Sequence, residues 1–278
     1  IGTSSNTVTL RWLTTGSKTV TINYNNASGC SALSATSSTA TNVTGPTATA
    51  GAALTAICSG GTSAAMGGSV GGAATGGTWS GGTGTWTNAT NPSTATYTAG
   101  ASESGTVTLT LTTSGGACGT TTATKNITVN SRPTVTFTAQ PGASACANTD
   151  VTYTTQSGQS NYVWTVPGVL NTDYSITSGG IGTSSNTVTL RWLTTGSKTV
   201  SVNYTNASGC SAASATSSTA TTVNARPTVT FTAQAGASAC TNTNVTYTTQ
   251  SGQSNYVWGV PGVLNTDYTI ISGGIGTG

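Results

Sequence analysis

Of the chain's 278 residues 4% are charged, none is histidine and 66 are threonine, where an ordinary soluble protein carries roughly 25% charge. Without histidine there is no Ser-His-Asp or Cys-His nucleophile, no imidazole proton shuttle and no His-ligated metal. Four acids, Glu103, Asp150, Asp173 and Asp267, are too few for carboxylate calcium cages, and a net charge of +3 from seven scattered Lys and Arg makes no patch for nucleic acid. The expectation is therefore no enzyme, no cofactor, no metal site and no nucleic-acid partner. No run approaches the roughly 18 consecutive apolar residues of a membrane helix, so no transmembrane segment is expected.

Self-similarity organises the chain. Residues 1–20 and 181–200 are identical, and residues 132–184 recur at 226–278 with seven differences in 53 positions. The offsets are 180 and 94, so a module of about 94 residues alternates with one of about 86. In chain order, 1–44 is the C-terminal half of the longer module and 45–130 the shorter module. Residues 131–224 are a complete longer module, and 225–278 are the N-terminal half of another. The chain thus reads as a section of a longer array that starts and stops inside a module.

Each stretch alternates with period two, as half-buried strands require. In the shorter module Val107, Leu109 and Leu111 are predicted inward and Thr106, Thr108 and Thr110 outward. In the longer one the predicted inward sets are Val135, Phe137 and Ala139; Val151 and Tyr153; Tyr162, Trp164 and Val166; Val188, Leu190 and Trp192; and Val200, Val202 and Tyr204. Clusters such as QSGQSN and TSGGIGTSSN mark turns. Threonine, β-branched and hydroxylated, suits the wet outer face of a strand. The expected fold class is all-β: tandem immunoglobulin-like antiparallel β-sandwich modules in an elongated array.

Six cysteines follow the modules, one near the start and one near the end of each. The expected bridges are Cys58–Cys118 and Cys146–Cys210, each within a module, with Cys30 and Cys240 paired outside the stretch. One pair per module suits an oxidising exterior.

Cys146, then YVWTVPG at 162–168, SGGIGTSSNTVTLRW at 178–192 and KTVSVNYTNASGC ending at Cys210 resemble the PKD-like modules of giant cell-surface adhesins of Bacteroidetes-type bacteria. The 45–130 module resembles the immunoglobulin-like modules that accompany them. The resemblance implies extracellular location on the bacterial cell surface, type IX secretion, and a role in adhesion, including gliding motility. It departs from the usual pattern where WDFGDG would follow Tyr-x-Trp, since Trp164 is followed by Thr165, Val166, Pro167 and Gly168.

Two candidate sites remain. Asp150 and Asp173 could be imagined as a glycosidase pair, but the copy of Asp150 is Asn244 while Asp173 keeps Asp267, so a structural role is expected. Trp79 and Trp86, set among glycines in GGTWSGGTGTW, are the expected ligand-contact surface if one exists. The expected function is a stalk that extends an adhesive tip from the cell, whose partner, an external surface or polysaccharide, is gripped by regions elsewhere. The alternative is a carbohydrate-binding accessory array of a secreted polysaccharide-degrading enzyme. Lateral self-association through sparsely charged edge strands is a further candidate partner mode.

Overall fold

The computed structural model describes residues 5–182 and 184–275; residues 1–4, Thr183 and 276–278 lie outside it. The described residues form strands and turns with no helix. Two separate hydrophobic cores are built, one from side chains between Ala48 and Val129, the other between Val135 and Val223.

The first core is backed by a four-stranded sheet ordered Ile57–Cys58, Thr122–Asn130, Gly105–Ser114, Gly76–Ser80. Its central hairpin pairs Val107 with Ile127, Leu109 with Lys125 and Leu111 with Ala123. Because the side-chain period is two, Val107, Leu109, Leu111, Ile127 and Val129 share the buried face while Thr106 and Thr108 stay exposed. The same parity carries Lys125 inward. The residue is 9% exposed, and its ammonium donates to Ala52 O (2.8 Å) and Met66 O (2.6 Å) and lies 5.6 Å from the Trp79 ring centroid. Two carbonyls and an aromatic face are what a buried cation needs in place of water, and burial pulls its pKa down. The strand pairs Pro46–Thr49 with Ser69–Gly72 and Thr85–Thr87 with Thr96–Thr98 complete this sandwich.

The second core lies against a sheet ordered Phe137–Ala139, Asp150–Thr155, Thr187–Trp192, Tyr174–Gly179. Facing it are the ladders of Ser160–Thr165, Ser201–Thr205 and Thr216–Ser217, and of Ser144–Cys146, Thr221–Asn224 and Gly196–Lys198. Tyr153, Val188, Leu190, Trp192, Val200 and Val202 are fully buried, and Tyr162, Trp164 and Tyr204 nearly so, as the alternation predicts. At one strand the alternation weakens toward its end: Val135 is buried, Phe137 half-buried and Ala139 exposed. The pairing of Phe137–Ala139 with Asp150–Thr155 slips register between those two residues, which turns the strand off the core face.

Residues 16–43 repeat part of this pattern in register: Gly16 pairs with Val43 as Gly196 does with Val223, and Thr21 with Ser37 as Ser201 does with Ser217. In the 5–44 stretch Val8, Leu10 and Tyr24 are exposed where the copies Val188, Leu190 and Tyr204 are buried. In 225–275, Phe231, Val245 and Tyr247 are likewise open where Val151 and Tyr153 are buried and Phe137 is half-buried. The cause is physical: in the 131–224 stretch these two sets bury each other, and each terminal stretch holds only one of them.

Candidate functional site

The most heavily built polar site in the described residues lies where the two sandwiches meet. Cys58 ends a short strand that runs parallel to the last strand of the first sandwich, beside Asn130. Ser59 locks that end down: its N–H donates to Asn130 O (2.9 Å) and its hydroxyl to Glu103 O (2.7 Å) and Asn130 O (3.2 Å). The chain then crosses at Ser131, Arg132 and Pro133.

From the other side comes the hairpin loop 206–210. The Asn206 side-chain oxygen accepts from the N–H groups of Ser208 (3.1 Å) and Cys210 (3.0 Å), and Gly209 takes a φ of +79° that other residues seldom adopt. The loop therefore presents Cys210 in a fixed pose. Cys58 and Cys210 form a disulfide with Cα atoms 5.8 Å apart, and Cys210 is wholly buried. Arg132 spans the joint, donating from Nε to Ser59 O (2.8 Å) and from Nη1 to Ser211 O (2.8 Å). The Asn206 amide donates to Ser131 O (3.0 Å). Two covalent connections and a guanidinium clamp thus cross a gap that a single peptide linker would leave hinged.

The expected bridges Cys58–Cys118 and Cys146–Cys210 are not the ones formed. Cys118 and Cys146 are exposed free thiols, as are Cys30 and Cys240. The reason is topological. Cys58 pairs with Asn130 at one end of the strand Thr122–Asn130, and Cys118 precedes Thr122 at the other end. Eight residues of strand at about 3.3 Å each separate the two ends by roughly 26 Å, whereas a disulfide needs Cα atoms within about 7 Å. Cys146, paired with Asn224, and Cys210, in the hairpin loop before Thr216, are opposed in the same way.

The expected contact surface is corrected in part as well. Trp79 is 2% exposed, donates its indole N–H to Pro92 O (2.9 Å) and stacks on Trp86 with ring centroids 6.0 Å apart. A Cβ on Gly68 would fall 2.8 Å from the Trp79 ring, so the glycine is what lets the indole lie flat in the core. Trp86 is half-buried, with its N–H donating to Gly81 O (3.1 Å). No paired aromatic platform faces solvent there.

The two aspartates stand apart in role. Asp150 makes an exposed ion pair with Arg191 (2.8 Å), worth at most about 1 kcal/mol in water. Asp173 holds a turn: its carboxylate accepts from Val169 N–H (2.8 Å) and the Thr194 hydroxyl (3.3 Å), beside Gly168 at φ +93°. Asp267 accepts from Val263 N–H (2.7 Å) in the copy. A turn that must form in every copy explains why Asp173 is retained and Asp150 is not.

Glu103, behind Ser59, is a group that composition alone does not single out. Its carboxylate accepts from the Tyr97 hydroxyl (2.5 Å) and from the N–H groups of Thr83 (2.8 Å) and Gly100 (2.9 Å). Burial by itself would raise its pKa, but the hydrogen bonds from Tyr97, Thr83 and Gly100 outweigh it and the net shift is downward. Burial and the bond to Glu103 push Tyr97 upward. A depressed carboxyl pKa gives stability that is fully present above the unfolded value near 4.5 and is lost as pH falls through the folded one. Glu103→Gln is therefore expected to cost about 1–2 kcal/mol at pH 7, with the gap to the parent protein closing in acid. Urea titrations at pH 7 and pH 3 check this; an equal loss at both would assign the effect to packing.

No protein-family model matches the chain, and no curated protein matches it. Solved structures do. The D00–D0 domain of intimin is 14% identical at a TM-score of 0.32, covering 64% of this chain and 99% of that one. Fibronectin(III)-like modules of CbhA from Clostridium thermocellum are 16% identical at a TM-score of 0.29, covering 65% and 94%. Immunoglobulin domains 1–4 of Sidekick-1 are 13% identical at a TM-score of 0.28, covering 73% and 57%. At these values the comparisons carry no functional assignment; the all-β sandwich architecture stands on the strands and sheets themselves.

Proposed function

We propose that this chain is a section of the stalk of a large extracellular cell-surface adhesin, whose work is to hold length and direction. On this reading 45–130 is an immunoglobulin-like module, 131–224 a complete PKD-like module, and 1–44 and 225–278 are C-terminal and N-terminal halves of further PKD-like modules. The sequence resemblance extends the proposal to a Bacteroidetes-type adhesin exported by the type IX route and used in attachment or gliding.

The observation that carries it is the stapled joint. A flexible linker would let two sandwiches pivot; here Cys58–Cys210 runs in parallel with the peptide chain, and Arg132 ties both sides to the same guanidinium. Load passing from one sandwich to the next is shared between two covalent paths. A structural disulfide suits an oxidising exterior, and a surface of hydroxyls with few charges stays hydrated without titratable chemistry.

Small-angle scattering on the whole chain tests the reading. A thin monomeric particle is expected, in which each complete sandwich adds about 35–40 Å of length, independent of protein concentration. A compact particle would overturn it. Growth in mass with concentration would instead point to lateral pairing of edge strands.

A further inference from the structure

The joint exists a second time in the same chain with one side open. The strand Ser144–Cys146 runs parallel to Thr221–Asn224 and pairs Cys146 with Asn224, as Cys58 pairs with Asn130. Ala147 N–H donates to Asn224 O (2.8 Å) as Ser59 N–H does to Asn130 O (2.9 Å). Arg226 Nε donates to Ala147 O (2.9 Å) as Arg132 Nε does to Ser59 O (2.8 Å). Pro227 follows Arg226 as Pro133 follows Arg132. Three parts differ: Ala147 has no hydroxyl to repeat the bonds of Ser59 to Glu103 O and Asn130 O, Cys146 is an exposed free thiol, and Arg226 has no counterpart of the bond from Arg132 to Ser211 O among the described residues.

The complementary side also recurs unoccupied. In residues 26–30 the Asn26 side-chain oxygen accepts from Ser28 and Cys30 N–H (3.0 Å each), and Gly29 takes φ +81°, matching the loop 206–210. Cys30 is an exposed free thiol. The loop therefore holds its cysteine in the docking pose without a partner.

We infer that the Cys146–Arg226 pole is a cross-linking site for an NASGC loop of the kind at 206–210, carried by the next sandwich along the array. Arg226 takes the carbonyl after the loop's cysteine, and the two thiols close a disulfide. The first cysteine of each sandwich thus bonds to the second cysteine of its successor, so every joint is stapled. The Sγ–Sγ bond forms as both thiol protons leave, and the electron pair reduces a disulfide oxidant to two thiols. The rule also sorts the remaining cysteines: Cys118, in the hairpin loop at the pole opposite Cys58, is a second cysteine like Cys30, and Cys240, the copy of Cys146, is a first cysteine. Among these four no first cysteine is followed by the second cysteine of the next sandwich, which is why Cys58–Cys210 forms and the others do not pair with one another. The identity of the neighbour rests on the modular stalk reading; the chemistry of the pole does not.

The test extends the whole chain after Gly278 with a second copy of residues 185–224, which completes the 225–278 repeat. After oxidation with glutathione disulfide, peptide mapping without reduction is expected to join Cys146 to the added copy of Cys210 alongside Cys58–Cys210. Cys146 joined to Cys118 or Cys240, or left alkylatable in a protease-resistant extended chain, would overturn the inference. A second measurement needs no added repeat. A peptide spanning residues 204–213, activated at its cysteine as a thionitrobenzoate mixed disulfide, is reacted with the unextended chain. Its rate at Cys146, relative to the bare dithiobis(nitrobenzoate) reagent, should fall about five-fold in Arg226→Ala, the worth of one hydrogen bond, with Cys118 unchanged. An equal ratio in both proteins would overturn docking by Arg226. A compact particle in scattering would sink the stalk reading and leave both results standing, so the two failures are distinguishable.

Discussion

Cys58→Ser is expected to lower the unfolding free energy of the 131–224 sandwich by about 4–5 kcal/mol, a shift of about 2 M in urea midpoint. With the first sandwich folded, Cys58 is held against Asn130. The bond then closes a loop from the linker to Cys210, about 80 residues, and in the chain-entropy account such a loop contributes a little over 4 kcal/mol. Burial of Cys210 adds to the loss, because the replacement leaves its sulfur in a pocket shaped for a partner. The effect should fall on the second sandwich, followed by its Trp164 and Trp192. The first sandwich, whose strand Ile57–Cys58 sits at a sheet edge, should move far less. Reduction of the parent protein should reproduce the shift, and scattering should show a wider spread of angles at the joint. An unchanged midpoint on reduction, or a mapped Cys58–Cys118 peptide, would refute the junction as described.

The error in the expected bridges shows where sequence reasoning stops. The alternation in NTVTLRW and KTVSVNY fixes which side chains face inward, because period two is a local property, and the burial of Val188, Leu190, Trp192, Val202 and Tyr204 follows from it. Disulfide pairing is not local. Placing one cysteine near each end of a module suggests closure within it, yet an antiparallel hairpin carries the late cysteine to the pole opposite the early one. The signal that could have found this is parity of strands: Cys118 and Cys210 lie in hairpin loops, before the final strands that end beside Cys58 and Cys146. The same parity, applied to KNITVN, would have placed Lys125 inward with Ile127 and Val129. What no local pattern supplies is the pair of carbonyls, Ala52 and Met66, that makes the position tolerable. The module bounds place Arg132 at the start of the 131–224 stretch but do not show it as a clamp, since its acceptors Ser59 and Ser211 lie far from it in sequence.

Trp79→Ala is expected to cost the first sandwich about 3–5 kcal/mol, the range for removing a buried aromatic side chain. The indole fills the space beside Gly68, gives up its N–H to Pro92 O, stacks on Trp86 and forms the face against which the Lys125 ammonium rests. Removal leaves a cavity and takes one of two donors from the Pro92 carbonyl, which keeps the Gly68 N–H (3.0 Å). It also takes away the aromatic neighbour that helps replace water around a buried cation. Of a total stability of roughly 5–15 kcal/mol for a small domain, that loss is enough to leave part of the population unfolded at 37 °C. The consequence bears on how any glycan-binding result is read: lost binding in Trp79→Ala would report lost structure. Trp86→Ala, at a half-buried position, should cost less and keep the fold, so it is the variant that separates a carbohydrate-binding face from a packed one. Calorimetric unfolding of both variants beside the parent checks the order; a melting temperature in Trp79→Ala within a degree of the parent would show that the indole is not a core element.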